Sequence, residues 1–295
     1  MRPVPKLARS VQSARLSALG FLLCLGTVGS PLTAQQTQQF RLGVDQPGDP
    51  VHLEVNVHNG SIHVVGDDGT DIRVEYTEDT DAPGAPVRQA DGTYRIRNVG
   101  SSVRGESRGN RAEIHAPWGG PPVNVEIRLP RRAELILRSN SNGDIRVENI
   151  TGSVEAYNTN DDVQLDGIRG SVVAHTTTGD LIVELLESTP ASRSSIVAWH
   201  GDIVLLVPSD LDADFEIAAG SEELVSELPV RVLPPLERPV QRSANEFSRE
   251  RTTRFRTGDG AEAPGGVHFH AQTRQGEFYL RDAAKRGDFM RRGNR

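Results

Sequence analysis

Cysteine is almost missing from this chain. Cys24 is the only one, and it lies in the N-terminal leader, so no disulfide is available to the rest. Export without disulfides suits a bacterial envelope protein better than a small eukaryotic secreted domain, which usually needs such staples. A second long apolar run is missing as well. The one present, LSALGFLLCLGTV at 16–28, is short of the roughly 20 residues a helix needs to cross a bilayer. It follows Arg2, Lys6, Arg9 and Arg15 and precedes SPLTA, the layout of a secretory signal with cleavage expected after Ala34. Leu23 stands where a lipoprotein signal needs a small residue, so lipid attachment through Cys24 is not expected. The mature chain is expected to carry no membrane span and to be exported, whether to periplasm, cell surface or medium.

Lysine is nearly absent too, the basic residues being almost all arginine. Removing the leader takes Lys+Arg from 33 to 29 against 40 Asp+Glu, and the net charge from -7 to -11. So acidic a chain repels phosphate backbones, and nucleic acid is not an expected partner. There is no GxSxG elbow, no HxxxH metal spacing, no Walker loop and no dinucleotide fingerprint. His268 and His270 fall on one face of a strand but would need a third ligand, and solvated histidines are the simpler reading. Arg286, Gly287 and Asp288 spell a tripeptide that this composition produces by chance. No enzyme class and no cofactor is indicated.

Helical periodicity is the last absence. Beyond residue 40 the apolar residues alternate instead, in runs such as VHLEVNV, SIHVV, DIRVEYT, VNVEIRL, AELILR, DVQLD, DIVLLV and VHFHA. Short β-branched period-two runs separated by Gly, Asn, Asp and Ser mark an all-β protein. Residues 79–92 and 99–110 read as loops, and 221–266 as a Pro-rich and polar insertion.

The central runs repeat. Leu135/Leu137, Val154/Ala156, Val172/Ala174 and Ile196/Ala198 form inward pairs of a first strand, and Ile145/Val147, Val163/Leu165, Leu181/Val183 and Ile203/Leu205 those of a second. Between them lies a turn ending in NGD, NDD, TGD or HGD, and Ile150 or Ile168 fills a corner before Gly152 or Gly170. A period near 18 residues with two strands per unit predicts a flattened parallel β-solenoid, in which neighbours bury one another's apolar face. A β-sandwich of hairpins would alternate as well. Equal spacing in one chain direction favours the solenoid. The predicted organisation is a signal at 1–34, an N-terminal β segment with an early coil and cap at 35–131, central coils at 132–220, the insertion at 221–266, a last coil at 267–281 and a disordered basic tail at 282–295.

The succession IRLP at 127–130, NGDIRV, the corner Ile and Gly, SVEAYN, TGDLIV and VLLVP at 204–208 resembles the putative adhesin domain of bacterial envelope proteins. That family is a domain of unknown function, similar to the head domain of autotransporter-like adhesins. The resemblance spans 51–281 and is densest over 123–220. It implies an exported β-solenoid-like domain with adhesion as its proposed role, and it brings no catalytic residues. The 221–266 insertion departs from the family pattern.

Two columns of side chains follow from the repeat. Asp144, Asp162, Asp180 and Asp202 recur at the turn, where stacked strands lie about 4.8 Å apart and unit charges repel by roughly 1 kcal/mol in water. Either calcium relieves them, or the carboxylates accept turn N–H groups and stay solvated. True calcium-binding β-rolls carry glycine-rich nine-residue turns that this chain lacks. The aligned outward residues are Arg138, Tyr157, His175 and Trp199, a ladder able to stack sugars or simply to brace parallel strands. Outward Ile136, Val173, Val197, Ile182, Val204 and Leu206 call for a second layer or a partner. The expected function is a non-enzymatic, adhesin-like interaction protein binding glycan or an envelope partner. The alternatives are a scaffold or regulatory envelope protein that docks another protein, and a polysaccharide-active enzyme.

Overall fold

Alternation does in three dimensions what it requires of a strand. In Val51–Val57 the residues Val51, Leu53, Val55 and Val57 are buried, while His52, Glu54 and Asn56 face outward. The same holds along the chain, and all eight inward pairs of the repeat are buried. The computed structural model describes residues 37–78, 87–88, 94–95, 103–188, 192–220, 224–234, 252–258 and 266–286. The proposed signal, much of the 221–266 insertion and Gly287 onward lie outside them. Among the described residues the elements are strands, apart from the short 3-10 turn Ala283–Lys285.

Apart from the separate antiparallel pair Val87–Arg88 and Tyr94–Arg95, the strands form two mixed open sheets whose buried residues share one hydrophobic cluster. Successive strands of the repeat alternate between the sheets. Within each sheet the equivalent strands pair in parallel, so the first sheet carries an inward row Ile62, Ile145, Val163, Leu181, Ile203 and Phe278. Each such side chain contributes about 1.5–3 kcal/mol by leaving water. Ile150 and Ile168 fill the corner, both fully buried.

Order in space departs from order in the chain at both ends. Val51–Val57 lies between Arg111–Ala116 and Ala133–Ser139, although the first of these comes later in the sequence. Val267–Gln275 lies between Arg193–His200 and Ala213–Ala219, so the coil predicted as last has an earlier segment beyond it. Within 71–130, where the sequence loses the period, Arg111–Ala116 and Val123–Pro130 keep the parallel pairing. Antiparallel strands finish the sheets: Ile72–Glu78 and Thr37–Leu42 at one end of the first, Arg104–Arg108 at one end of the second and Thr252–Thr257 with Arg231–Leu233 at the other. Arg104–Arg108 falls within the stretch read as a loop, because RGESR is too polar to show alternation. A charged edge such as this one, or a three-residue edge such as Leu224–Ser226, discourages pairing with other chains.

The far end of the second sheet has its own core device. Phe215 stacks between Phe255 and Phe269, each ring centroid 4.9 Å away. These cross-strand neighbours follow from the register and tie the antiparallel strand Thr252–Thr257 to the parallel stack. A ladder of rings thus exists, but it is inside.

The turns come so close together that a side chain cannot fit. Gly179 has φ +134°, and a Cβ there would lie 2.2 Å from the Asp161 carbonyl oxygen. Gly179→Ala is expected to cost at least about 2 kcal/mol, measured by urea denaturation. Gly109→Ala, in a turn with open space around it, should cost about 1 kcal/mol.

Candidate functional site

The turn border is held by reciprocal hydrogen bonds from one unit to the next. The Asp162 N–H donates to Asp144 Oδ1 at 3.3 Å, the Asp180 N–H to Asp162 Oδ1 at 2.8 Å, the Asp202 N–H to Asp180 Oδ1 at 2.8 Å, and the Glu277 N–H to Asp202 Oδ1 at 2.8 Å. In the opposite sense the N–H groups of Ile145, Val163 and Leu181 donate to the carbonyls of Asp162, Asp180 and Asp202. The aspartates are therefore acceptors built into the stack. Among the described residues no three His, Cys, Asp or Glu side chains converge as a metal would require.

Behind this border runs a second polar column that the sequence reading missed. Ser139, Asn158, Thr176 and Thr273 are buried and turn their donors onto carbonyls of the turns. Ser139 Oγ bonds Gly60, Asn158 Nδ2 bonds Gly143 and Asp161, Thr176 Oγ1 bonds Asp161, and Thr273 Oγ1 bonds Gly201. Buried carbonyls without such donors would cost about 1–3 kcal/mol each. The signal was present as a polar residue two positions after the first-strand pairs Leu135/Leu137, Val154/Ala156 and Val172/Ala174, whereas on Arg193–His200 the register puts Ala198 opposite Thr176.

The outward ladder is only partly assembled. Arg138 pairs with Tyr157 and Tyr157 with His175, but His175 lies opposite Val197. From Asp180 to Asp202 the repeat is 22 residues long, and the preceding strand obeys the same offset, so Ala174 meets Ile196. Aligning Ala174 with Ala198 instead placed Trp199 one outward step too early. The Arg138 guanidinium stands 5.5 Å from the Tyr157 ring centroid and donates to Glu54 Oε1 at 2.7 Å. Burial, then the Glu155 carboxylate to which the Tyr157 hydroxyl donates, push that phenol above its ordinary pKa. Trp199 sits apart, 42% exposed, under the Arg274 guanidinium at 5.1 Å.

Farther along this outer face lies an open depression of about 340 Å³, lined by Arg193, Asp214, Glu216, Arg254, His268 and His270 over Phe215 and Phe269. Asp214 accepts two bonds from Arg256, at 2.6 and 2.9 Å, and these hold its carboxyl below the ordinary range.

On the outer face of the first sheet Val204 and Leu206 are buried rather than exposed, and Ile182 is partly covered. Beside them Arg286 sits 2.6 Å from Asp166 Oδ1 and 2.8 Å from Glu184 Oε2. The first residue of the Arg-Gly-Asp tripeptide is thus engaged in the protein's own ion pairs. Gly287 and Asp288 lie outside the described residues.

Burial, and repulsion from Asp162 and Asp202, push the Asp180 carboxyl above its ordinary pKa, against the Asp202 N–H bond that lowers it. A raised folded pKa means that the ionised form is penalised, a penalty present above that pKa and lost as pH falls through it. Asp180→Asn keeps the acceptor and removes the charge. It should melt at or above the wild type at pH 7, with the gap closing as pH falls through the carboxylate range. Asp180→Ala loses the acceptor and should cost about 1 kcal/mol; paired melting curves from pH 7 to 4 check both.

No protein family and no curated protein matches the chain. Among solved structures, a putative cell adhesion protein from Clostridium sporogenes is similar at 8% identity and a TM-score of 0.42, covering 84% of this chain and 99% of that one. A putative adhesin from Bacteroides fragilis is similar at 10% identity and a TM-score of 0.39, covering 84% and 98%. No helix among the described residues is long and apolar enough to cross a membrane.

Proposed function

We propose that this chain is an exported, non-enzymatic parallel β-solenoid of the adhesin type that binds glycan through the outer face of its second sheet and the adjoining turn border. The solenoid reading is supported by the parallel pairing of equivalent strands in both sheets and by the reciprocal turn bonds. The antiparallel end strands and the open sheets are what a β-sandwich would share with it.

One observation carries the binding reading. The protein has two tryptophans, and both are exposed on the same border, Trp118 by 81% and Trp199 by 42%. Tryptophan is normally among the more buried residues, and an exposed indole marks a contact surface. Trp118 lies in the turn after Arg111–Ala116, edge-on to His58, and Trp199 lies just before the turn after Arg193–His200. Five strand spacings separate the two strands, about 24 Å, a span suited to an oligosaccharide of several sugars. Arg138 and Tyr157 lie on strands between them, where hydrogen-bonding side chains can meet hydroxyls.

A scaffold that docks an envelope protein is the second reading, favoured by exposed Val225, Val230 and Val232 at the opposite end of the stack from Trp118. A glycan array probed with wild type, Trp118→Ala/Trp199→Ala and Val230→Ser/Val232→Ser distinguishes them. Glycan affinity should fall about tenfold or more in the tryptophan variant and stay unchanged in the valine variant. Unchanged glycan binding by the tryptophan variant would reject the border as the site.

A further inference from the structure

With histidine counted as neutral, the depression at the far end of the second sheet keeps one net positive charge, Arg193, Arg254 and the adjoining Arg256 standing against Asp214 and Glu216. The chain as a whole carries a net charge of -7, yet Arg193, Arg254, His268 and His270 converge on one hollow of about 340 Å³. Their convergence is fixed by the register. Arg193, His268, Asp214 and Arg256 stand opposite one another in one row across four strands, and Ser195, His270, Glu216 and Arg254 in the next.

The two acidic residues in these rows stand among the cations, and Asp214 Oδ2 also lies 4.0 Å from His268 Nδ1. Asp214 is occupied by both arms of Arg256, which is itself well buried. Glu216 stands opposite Arg254 and His270 in the register. Arg193 has no side-chain hydrogen bond or ion pair among the described residues, although it lines the hollow. A forked guanidinium left open beside two imidazoles is suited to a planar or tetrahedral oxyanion, which it can grip through two N–H groups. Along the same strand, six residues on, stands Trp199 with Arg274 above it. At the rise of a strand that is about 20 Å, the length of a short oligosaccharide.

We infer that the depression formed by Arg193, His268 and His270 binds the carboxylate or sulfate groups of an acidic glycan. The inference rests on the proposed glycan binding and narrows it to a charge class. Ring stacking at Trp199 holds the neutral part of the chain, and the hollow selects for the anion.

Isothermal titration calorimetry of the mature protein with a galacturonic acid hexasaccharide, its methyl ester, a sulfated hexasaccharide and a single-stranded oligonucleotide of equal charge tests it. At least one acidic hexasaccharide should bind about tenfold or more tighter than the methyl ester, with affinity falling as salt rises. Which acid binds tells carboxylate from sulfate recognition. Arg193→Gln/His268→Gln/His270→Gln, which leaves the Asp214–Arg256 pair intact, should lose that preference while keeping its melting temperature and its binding of the ester. Should the triple variant unfold, Arg193→Gln alone must reduce the preference about threefold or more. Equal binding of acid and ester, no binding of either acid, unaltered preference in the variants, or equal binding of the oligonucleotide would overturn the inference. Equal binding of acid and ester that is lost in Trp118→Ala/Trp199→Ala would leave the broader glycan reading standing.

Discussion

The hydrogen bond from the amide of one turn aspartate to the carboxylate of the aspartate one unit away sets the rest of the structure. With the reciprocal bond from Ile145, Val163 or Leu181, it fixes where each second strand begins relative to its neighbour. Once that point is fixed, the period-two pleat decides every side chain beyond it, inward or outward. Glycine at 179 and 201 lets the turns approach closely enough for these bonds, and Ser139, Asn158, Thr176 and Thr273 satisfy the carbonyls thus buried. The border needs an acceptor at each step, and where that acceptor is a carboxylate it bears burial and then the repulsion of its neighbours, both of which raise the pKa of Asp180.

The same constraint shapes the surface. A parallel stack repeats its outward positions as rows, so chemistry gathers wherever several units place polar side chains in one row. At one end of the second sheet the rows carry Glu54, Glu113 and Glu155 beside His52 and Arg111; at the other they carry Arg193, Arg254 and two histidines beside Asp214 and Glu216. The two tryptophans flank the turn border. The proposed binding is thereby a property of rows rather than of a single loop.

Much of the architecture was legible because the repeat is written in the residues that build it. Inward pairs such as Val163/Leu165, the corner residues Ile150 and Ile168, and the turn aspartates were all visible as a period. Three things were not. The longer repeat between Asp180 and Asp202 shifted the register and moved Trp199 out of the Arg138, Tyr157 and His175 row, because spacing alone cannot say which side of an insertion absorbs it. The placement of Val51–Val57 and Val267–Gln275 between other strands depends on long-range pairing that local alternation does not encode. The basic hollow draws on four strands, one of them in the 221–266 insertion, and becomes visible only once their order is known.

That order is the claim on which both the fold and the proposed binding face rest, and the absence of cysteine after Cys24 makes it directly measurable. Val197 and Gln272 are opposite one another, as are Gln272 and Ala218, whereas Val197 and Ala218 are separated by a strand. Cysteine pairs at these positions, oxidised under mild conditions and followed by mass spectrometry, should link 197 with 272 and 272 with 218. Efficient linkage of 197 with 218 instead, with no link from 197 to 272, would mean that the strands stack in chain order and would contradict the account.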